Sequence, residues 1–201
     1  MSFSDYLQFL LSGLTVGSTY GLTALGFTII YNTTGIVNFA QGEFVMLGGM
    51  LGVFFLSGLG LPLPVALLLA VLCTLLIGAL MERLTIRPVQ DAPVINLIIV
   101  TIGVSILVRG IVQIVLGKDT HALPAFTGSA PINVAGASVQ PQSLWVLAIT
   151  CGLLLLLRHF FSRTIWGKAM LACAFDRKAA FLAGIGVRRM VLLSFMISAA
   201  V

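Results

Sequence analysis

Residues 6–42 read YLQFLLSGLTVGSTYGLTALGFTIIYNTTGIVNFAQG, 37 positions without a charge between Asp5 and Glu43. Residues 44–81, between Glu43 and Glu82, form a second uncharged run of 38. About 20 apolar residues cross a bilayer as a helix, so each run is long enough for more than one pass. Neither alternates with period two, which argues for helices and against an outer-membrane barrel. Over the whole chain of 201 residues, 8% are charged and 59% apolar. A typical soluble domain carries about a quarter charged residues. The fold class is therefore all-α: a polytopic helical membrane protein with about five complete spans and a truncated final one.

The spans follow from the breaks. The first runs from Leu7 to Tyr31 and ends at Asn32, Thr33, Thr34 and Gly35. A shorter apolar stretch covers Phe44 to Leu56, and the Pro62/Pro64 pair opens a third span that reaches Met81. A polar turn, Glu82 to Pro93, precedes the fourth span, Val94 to Leu116. Lys118 to Pro141 has loop chemistry, and the fifth span is Ser143 to Leu157. Basic residues then extend to Arg189 before a last apolar run, Met190 to Val201. Twelve residues of helix cover about 18 Å, short of a hydrocarbon core of about 30 Å. The expectation is one transmembrane domain over residues 1–201, incomplete at its C-terminus, with residues 158–189 outside the bilayer.

Charge placement sets orientation. Eleven Lys and Arg against six Asp and Glu give +5, and seven of the eleven lie between Arg158 and Arg189. With that segment in the cytoplasm, Lys118–Pro141 is outside and the turn holding Arg83 and Arg87 is inside. The N-terminus is then outside, provided the stretch from Phe44 crosses; a re-entrant path is the alternative. The basic excess suits anionic lipid and cytoplasm, not a nucleic acid, which would need a basic face over much of the surface. No basic n-region marks a signal peptide. Cys73, Cys151 and Cys173 are too scattered for a zinc site or a disulfide framework, and no metal or cofactor is expected.

Within the spans, three features stand out. Gly13, Gly17 and Gly21 share one helix face, and Gly48 with Gly52 repeats the spacing. Such glycines let helix backbones approach closely, so helix packing within one subunit is expected ahead of a dedicated dimer seam. Asn38, Gln41 and Glu43 form a polar cluster between two apolar stretches. One reading is a capping box with Asn38 as N-cap and Gln41 three residues on, Glu43 facing the helix dipole. The other is a broken helix whose polar groups border a solute path. Both stay open, since one residue set can serve both. Arg109, the one basic residue inside a span, is expected to snorkel or to pair ahead of meeting a solute carboxylate. His121 and His159 lie near interfaces and read as interfacial polar groups.

Enzyme motifs are lacking: there is no H-E-x-x-H, no aspartate pair within spans, and Gly167-Lys168 lacks the upstream glycine of a phosphate loop. Lys168 to Ala183 instead reads as a short amphipathic helix at the membrane surface, closed by Gly184.

Together these stretches resemble the permease subunits of branched-chain amino acid ABC transporters. Thr34-Gly35-Ile36-Val37-Asn38-Phe39-Ala40-Gln41-Gly42-Glu43-Phe44 is close to that family's N-F-A-x-G-E-F signature. Glu82-Arg83 through Arg87-Pro88 looks like its first cytoplasmic turn, and Gly167 to Val187 like its coupling loop. The resemblance implies a multi-pass permease of the bacterial inner membrane. Its partners would be a second permease, two cytoplasmic ATP-binding subunits and an extracytoplasmic solute-binding protein. It also implies ATPase coupling through Asp176, Arg177, Ala179, Ala180 and Gly184, with Lys178 standing where the motif carries an acid. A stand-alone channel or secondary transporter is the main rival, a membrane-embedded scaffold the second.

Overall fold

The computed structural model describes residues 3–90, 92–117, 122–127, 130–134 and 137–201. Five of its helices are long and apolar enough to cross a membrane. The first, α1, spans Phe3–Thr34. It runs past Tyr31, where the sequence expectation stopped it, because Thr33 and Thr34 turn their hydroxyls back to the carbonyls of Ile29 and Ile30 at 2.9 and 2.7 Å. A polar side chain satisfied on the preceding turn does not break the helix. Gly35 does, at φ +66°, with its N–H on the Tyr31 carbonyl, the left-handed stop that glycine permits.

Next, α2 covers Gln41–Val53 and continues as a wider turn through Phe54–Gly58. Pro64 stands in the first turn of α3 (Leu63–Met81), where no N–H is missed, and helical turns prolong α3 to Val89. The fourth helix, α4, is Val94–Val115, and α5 is Pro141–Arg163. Between them the expected loop contains a small antiparallel hairpin, β1 (Ile132–Val134) with β2 (Ala137–Val139), Ile132 opposite Val139. Lys118 and His121 lie outside the described residues.

The single surface helix expected over Lys168–Ala183 is two helices. These are α6 (Ile165–Phe175) and α7 (Arg177–Leu182), parted by Asp176 in extended conformation. The Asp176 carboxylate accepts from the N–H groups of Lys178 and Ala179 at 2.8 and 3.0 Å, an N-cap that starts a new helix. Gly184, at φ +81°, closes α7. Finally α8, Val187–Ala200, packs mainly on α3 and α1.

The packing is that of a membrane protein. Long aliphatic side chains such as Leu76, Ile114 and Leu155 face outward, while the interior holds Ile30, Phe44, Ile86 and Phe195. A second cluster, Ile29, Leu157, Met170, Cys173, Ala180 and Met190, ties α6 and α7 to the ends of α1 and α5. Backbones approach most closely at glycine. A Cβ on Gly78 would stand 2.7 Å from the Ala199 Cβ and 2.8 Å from the Phe195 carbonyl. The expected packing glycines behave otherwise: nothing lies within 4 Å of a Cβ on Gly13, Gly17, Gly21 or Gly48, and Gly52 meets only Leu123 at 3.6 Å. Within the described chain, these five are not where helices close on one another. Spacing marks a face that permits approach; it does not say which neighbour arrives.

Candidate functional site: a re-entering segment and its polar partners

The ends of α1, α3 and α7 and the start of α8 gather at one end of the bundle. Arg177 donates from Nε to the Thr33 carbonyl at 3.1 Å, and Arg87, Gln90, Arg177 and Val187 line one cleft there. Residues 35–40 leave that end and return into the bundle, as three contacts measure. Phe39 N–H donates to Thr101 Oγ1 at 3.4 Å, and Thr101 is seven residues into α4. Gln41 meets Ser198, eleven residues into α8, beside Gly26, eight residues before the end of α1. Glu43 meets Ser105, eleven residues into α4. At 1.5 Å per residue these positions are about 10 to 16 Å along their helices, near the middle of a core about 30 Å thick. Thus α2 begins inside the bundle, after a non-helical segment of the kind found at membrane depth only when enclosed by protein.

Local geometry decides against the capping box. The residue preceding α2 is Ala40, which supplies no side-chain cap. Asn38 Oδ1 instead accepts from Ala40 N–H at 3.1 Å, a turn within the segment, while its buried Nδ2 has no partner among the described residues. The Gln41 side chain does not reach back to Asn38. It turns sideways to α8, where the Ser198 hydroxyl lies 2.8 Å from Gln41 Oε1 and 2.7 Å from the Gly26 carbonyl. One hydroxyl proton is shared between those two acceptors, and Gln41 Nε2 approaches the Ser198 carbonyl at 3.5 Å. Gly26 makes room here: a Cβ on it would stand 2.5 Å from Gln41 Nε2 and 3.0 Å from Ser198 Oγ, so the Gln41–Ser198 arrangement would have to shift.

Glu43, with 6% of its side chain exposed, is paired. Arg109 Nη2 and Ser105 Oγ both donate to its Oε1, at 2.6 and 2.7 Å. A carboxylate at this depth costs several kcal/mol unless paired or hydrated, and α4 supplies both partners. Arg109 therefore pairs, one of the two outcomes expected from sequence. The Arg109 side chain as a whole is 60% exposed, so the pair is enclosed only on the Glu43 side.

Sequence reasoning missed Ser105, Thr101 and Ser198. The signal was present: Thr101, Ser105 and Arg109 recur every four residues along an apolar span, as do Ser194 and Ser198. Polar residues on one stripe of a membrane helix face protein, because lipid offers them nothing.

The site opens on a cavity of about 380 Å³ between α1, α2, α3 and α8. Gln41, Ser198, Thr19, Thr23 and Thr74 give it hydroxyl and amide groups, and Leu22, Phe44 and Leu67 give it apolar wall. Gly48 also lines it, with open space where a side chain would stand.

At the gathered end, Asp176, Arg177, Lys178 and Ala179 are exposed and Ala180 is buried at 4%. Although Arg177 as a residue is exposed, partial desolvation of its guanidinium pushes it below its ordinary range, and burial pushes the Cys173 thiol above its own; the proximity of each to the other partly opposes the shift. No group of three or more His, Cys, Asp or Glu side chains that could hold a metal occurs among the described residues.

Crossing helices around a re-entering segment, with an ion pair between α2 and α4 and a cavity of mixed wall beside it, define a polytopic helical membrane protein. Comparison gives the family. Residues 9–201 match the family model described as the permease component of the branched-chain amino acid transport system. The chain is 32% identical to the high-affinity branched-chain amino acid transport system permease protein BraD of Pseudomonas aeruginosa, across 97% of this chain and 67% of that protein. It is 31% identical to the corresponding LivH protein of Salmonella typhimurium, across 98% and 68%. A probable LivH permease of Methanocaldococcus jannaschii is 28% identical, across 89% and 58%. No solved structure matches. The chain thus belongs to the family of branched-chain amino acid transport permeases and spans about two thirds of the length of its bacterial relatives. It is a multi-pass inner-membrane permease of the ABC-transporter class.

Proposed function

We propose that this permease carries branched-chain amino acids inward through the cavity beside Gln41, which lines it, with Asn38 and Glu43 flanking the path from the same segment without lining the cavity itself. The observation that carries this reading is the mixed wall of the cavity, where amide and hydroxyl groups of Gln41, Ser198 and Thr74 stand among Leu22, Phe44 and Leu67. An amino acid with an aliphatic side chain asks for that combination, polar groups for its backbone ends and apolar surface for its tail. The names of the relatives point to the same solutes.

In this reading residues 158–189 are the cytoplasmic coupling segment, and Asp176, Arg177, Lys178, Ala179, Ala180 and Gly184 lie where an ATP-binding subunit docks. The remaining partners are a second ATP-binding subunit, a second permease and a solute-binding protein outside. ATP is hydrolysed on those separate subunits, and this chain supplies the path and the lever.

The test is reconstitution of the complete transporter in vesicles with its binding protein, followed by uptake of leucine, isoleucine and valine. Uptake requires ATP and falls at least about tenfold in Glu43→Gln, a loss equivalent to about 1.4 kcal/mol in the barrier. Unchanged uptake in that variant removes the pathway role of Glu43. Flux in the absence of the ATP-binding subunits contradicts the ATP-driven mechanism.

A further inference from the structure

Five of the chain's eleven Lys and Arg residues, Arg87, Arg177, Lys178, Arg188 and Arg189, line a single cleft of about 990 Å³. Three elements wall it: the end of α3, the short helix α7 and the start of α8. No Asp or Glu is among its lining residues. Among the described residues, the two acids on adjoining elements are otherwise engaged or enclosed. Asp176 caps α7 with its carboxylate, and Glu82 is 2% exposed. Beside the cations stand Phe181 and Leu182, 69% and 85% exposed. Cations crowded into one concavity repel one another unless a comparable density of opposite charge enters it.

We propose that this cleft docks an acidic element of the ATP-binding subunit, with its carboxylates against Arg87, Lys178, Arg188 and Arg189 and an apolar notch around Phe181 and Leu182. The inference rests on the coupling reading of residues 158–189 and adds to it the charge of the partner and a second wall contributed by Arg87. It also gives Lys178 a role: a cation at that position is what an acidic partner selects. A protein is the occupant because the cations face into a concavity formed by three elements. The headgroup layer of a membrane would instead meet a flank of one helix. Arg177 lines the same cleft while bonded to the Thr33 carbonyl, so a partner seated there touches a residue attached to the end of α1.

The experiment uses the full transporter, purified through a tag on this chain, and measures recovery of the ATP-binding subunit over a range of salt. Lys178→Glu combined with Arg188→Glu lowers recovery about tenfold at 0.1 M salt, and 0.5 M salt has a similar effect on the unaltered complex, as exposed charge pairs are screened. Acid-to-lysine changes on the facing ATPase surface restore recovery, which a merely unfolded variant would not allow. Undiminished recovery with the charges reversed overturns the proposal. If Phe181→Ala with Leu182→Ala releases the ATPase while the charge reversals do not, the coupling reading stands and the acidic partner falls. If neither pair of changes matters, the coupling reading falls with it. A third result also overturns the proposal: charge reversal alters only the dependence of uptake on phosphatidylglycerol in the vesicles, which would assign the cleft to lipid.

Discussion

The two polar regions of this permease solve opposite problems. At mid-depth, Gln41 and Glu43 are 6% and 4% exposed, each bonded to side chains on other helices. At the gathered end, Lys178, Arg188 and Arg189 are exposed and line a cleft without an acid. Inside a membrane a polar group must find its partners within the protein, because lipid supplies none. Beyond the helix ends, water satisfies a lone charge, and such a charge is free to serve another subunit. The interior cluster therefore fixes a shape, and the peripheral one is open to a partner. Glycine shows the same division: Gly26 and Gly78 sit where other helices close on them, whereas Gly13, Gly17 and Gly21 meet nothing within 4 Å.

The strongest way to break this contrast is Arg109→Met, which leaves Glu43 enclosed without its cation. We expect a loss of about 2 to 3 kcal/mol, below that of a fully buried pair because the Arg109 side chain is 60% exposed, read as a lower unfolding temperature in detergent. Adding Glu43→Leu should recover most of it. Arg188→Met at the exposed end should change stability by less than about 0.5 kcal/mol. Next in size is Gly78→Val, which forces a side chain against α8 and should cost about 2 kcal/mol. Gly17→Val should be close to neutral by the same assay, and a large loss there would show that the glycine face of α1 packs on something. Ser198→Ala removes the hydroxyl joining α8 to Gly26 and Gln41, at a cost of about 1 kcal/mol. The smallest effect concerns Cys173, which is 1% exposed with its thiol pushed up by burial. Thiolate is the reactive form, so maleimide at neutral pH should label Cys173 several-fold more slowly than a cysteine placed at Phe175, on the exposed side of α6.

Much of the fold was legible in the sequence because lipid leaves few choices. The uncharged runs and their breaks at Gly35, Pro62 and Pro93 gave the crossing helices to within about six residues at each end, the widest miss being α5, which continues past Leu157 to Arg163. The site was legible in composition but not in geometry. Asn38, Gln41 and Glu43 were evident as polar residues between apolar stretches. That the chain turns back into the bundle before α2 was not, because it depends on partners 62 to 157 positions away: Thr101, Ser105 and Ser198. Asn38 and Gln41 carry a capping-box pattern, yet Ser198 on α8 takes the Gln41 amide instead. The split between α6 and α7 was hidden for a local reason. Asp176 interrupts a stretch of good helix formers, and only its own backbone, at φ −153°, shows that it starts a new helix.

The central claim is that the mid-depth cavity beside Gln41 is the solute path, and alkylation at Gly48 tests it most directly. Gly48 lines that cavity with room for a side chain. Gly48→Cys, in a chain whose Cys73, Cys151 and Cys173 are replaced by alanine, would be treated with a membrane-permeant maleimide in the reconstituted, transport-active complex. Leucine should slow labelling at Gly48→Cys and leave the equally open Gly13→Cys unaffected. Equal rates at Gly48→Cys with and without leucine, in a complex that still transports it, would contradict the account.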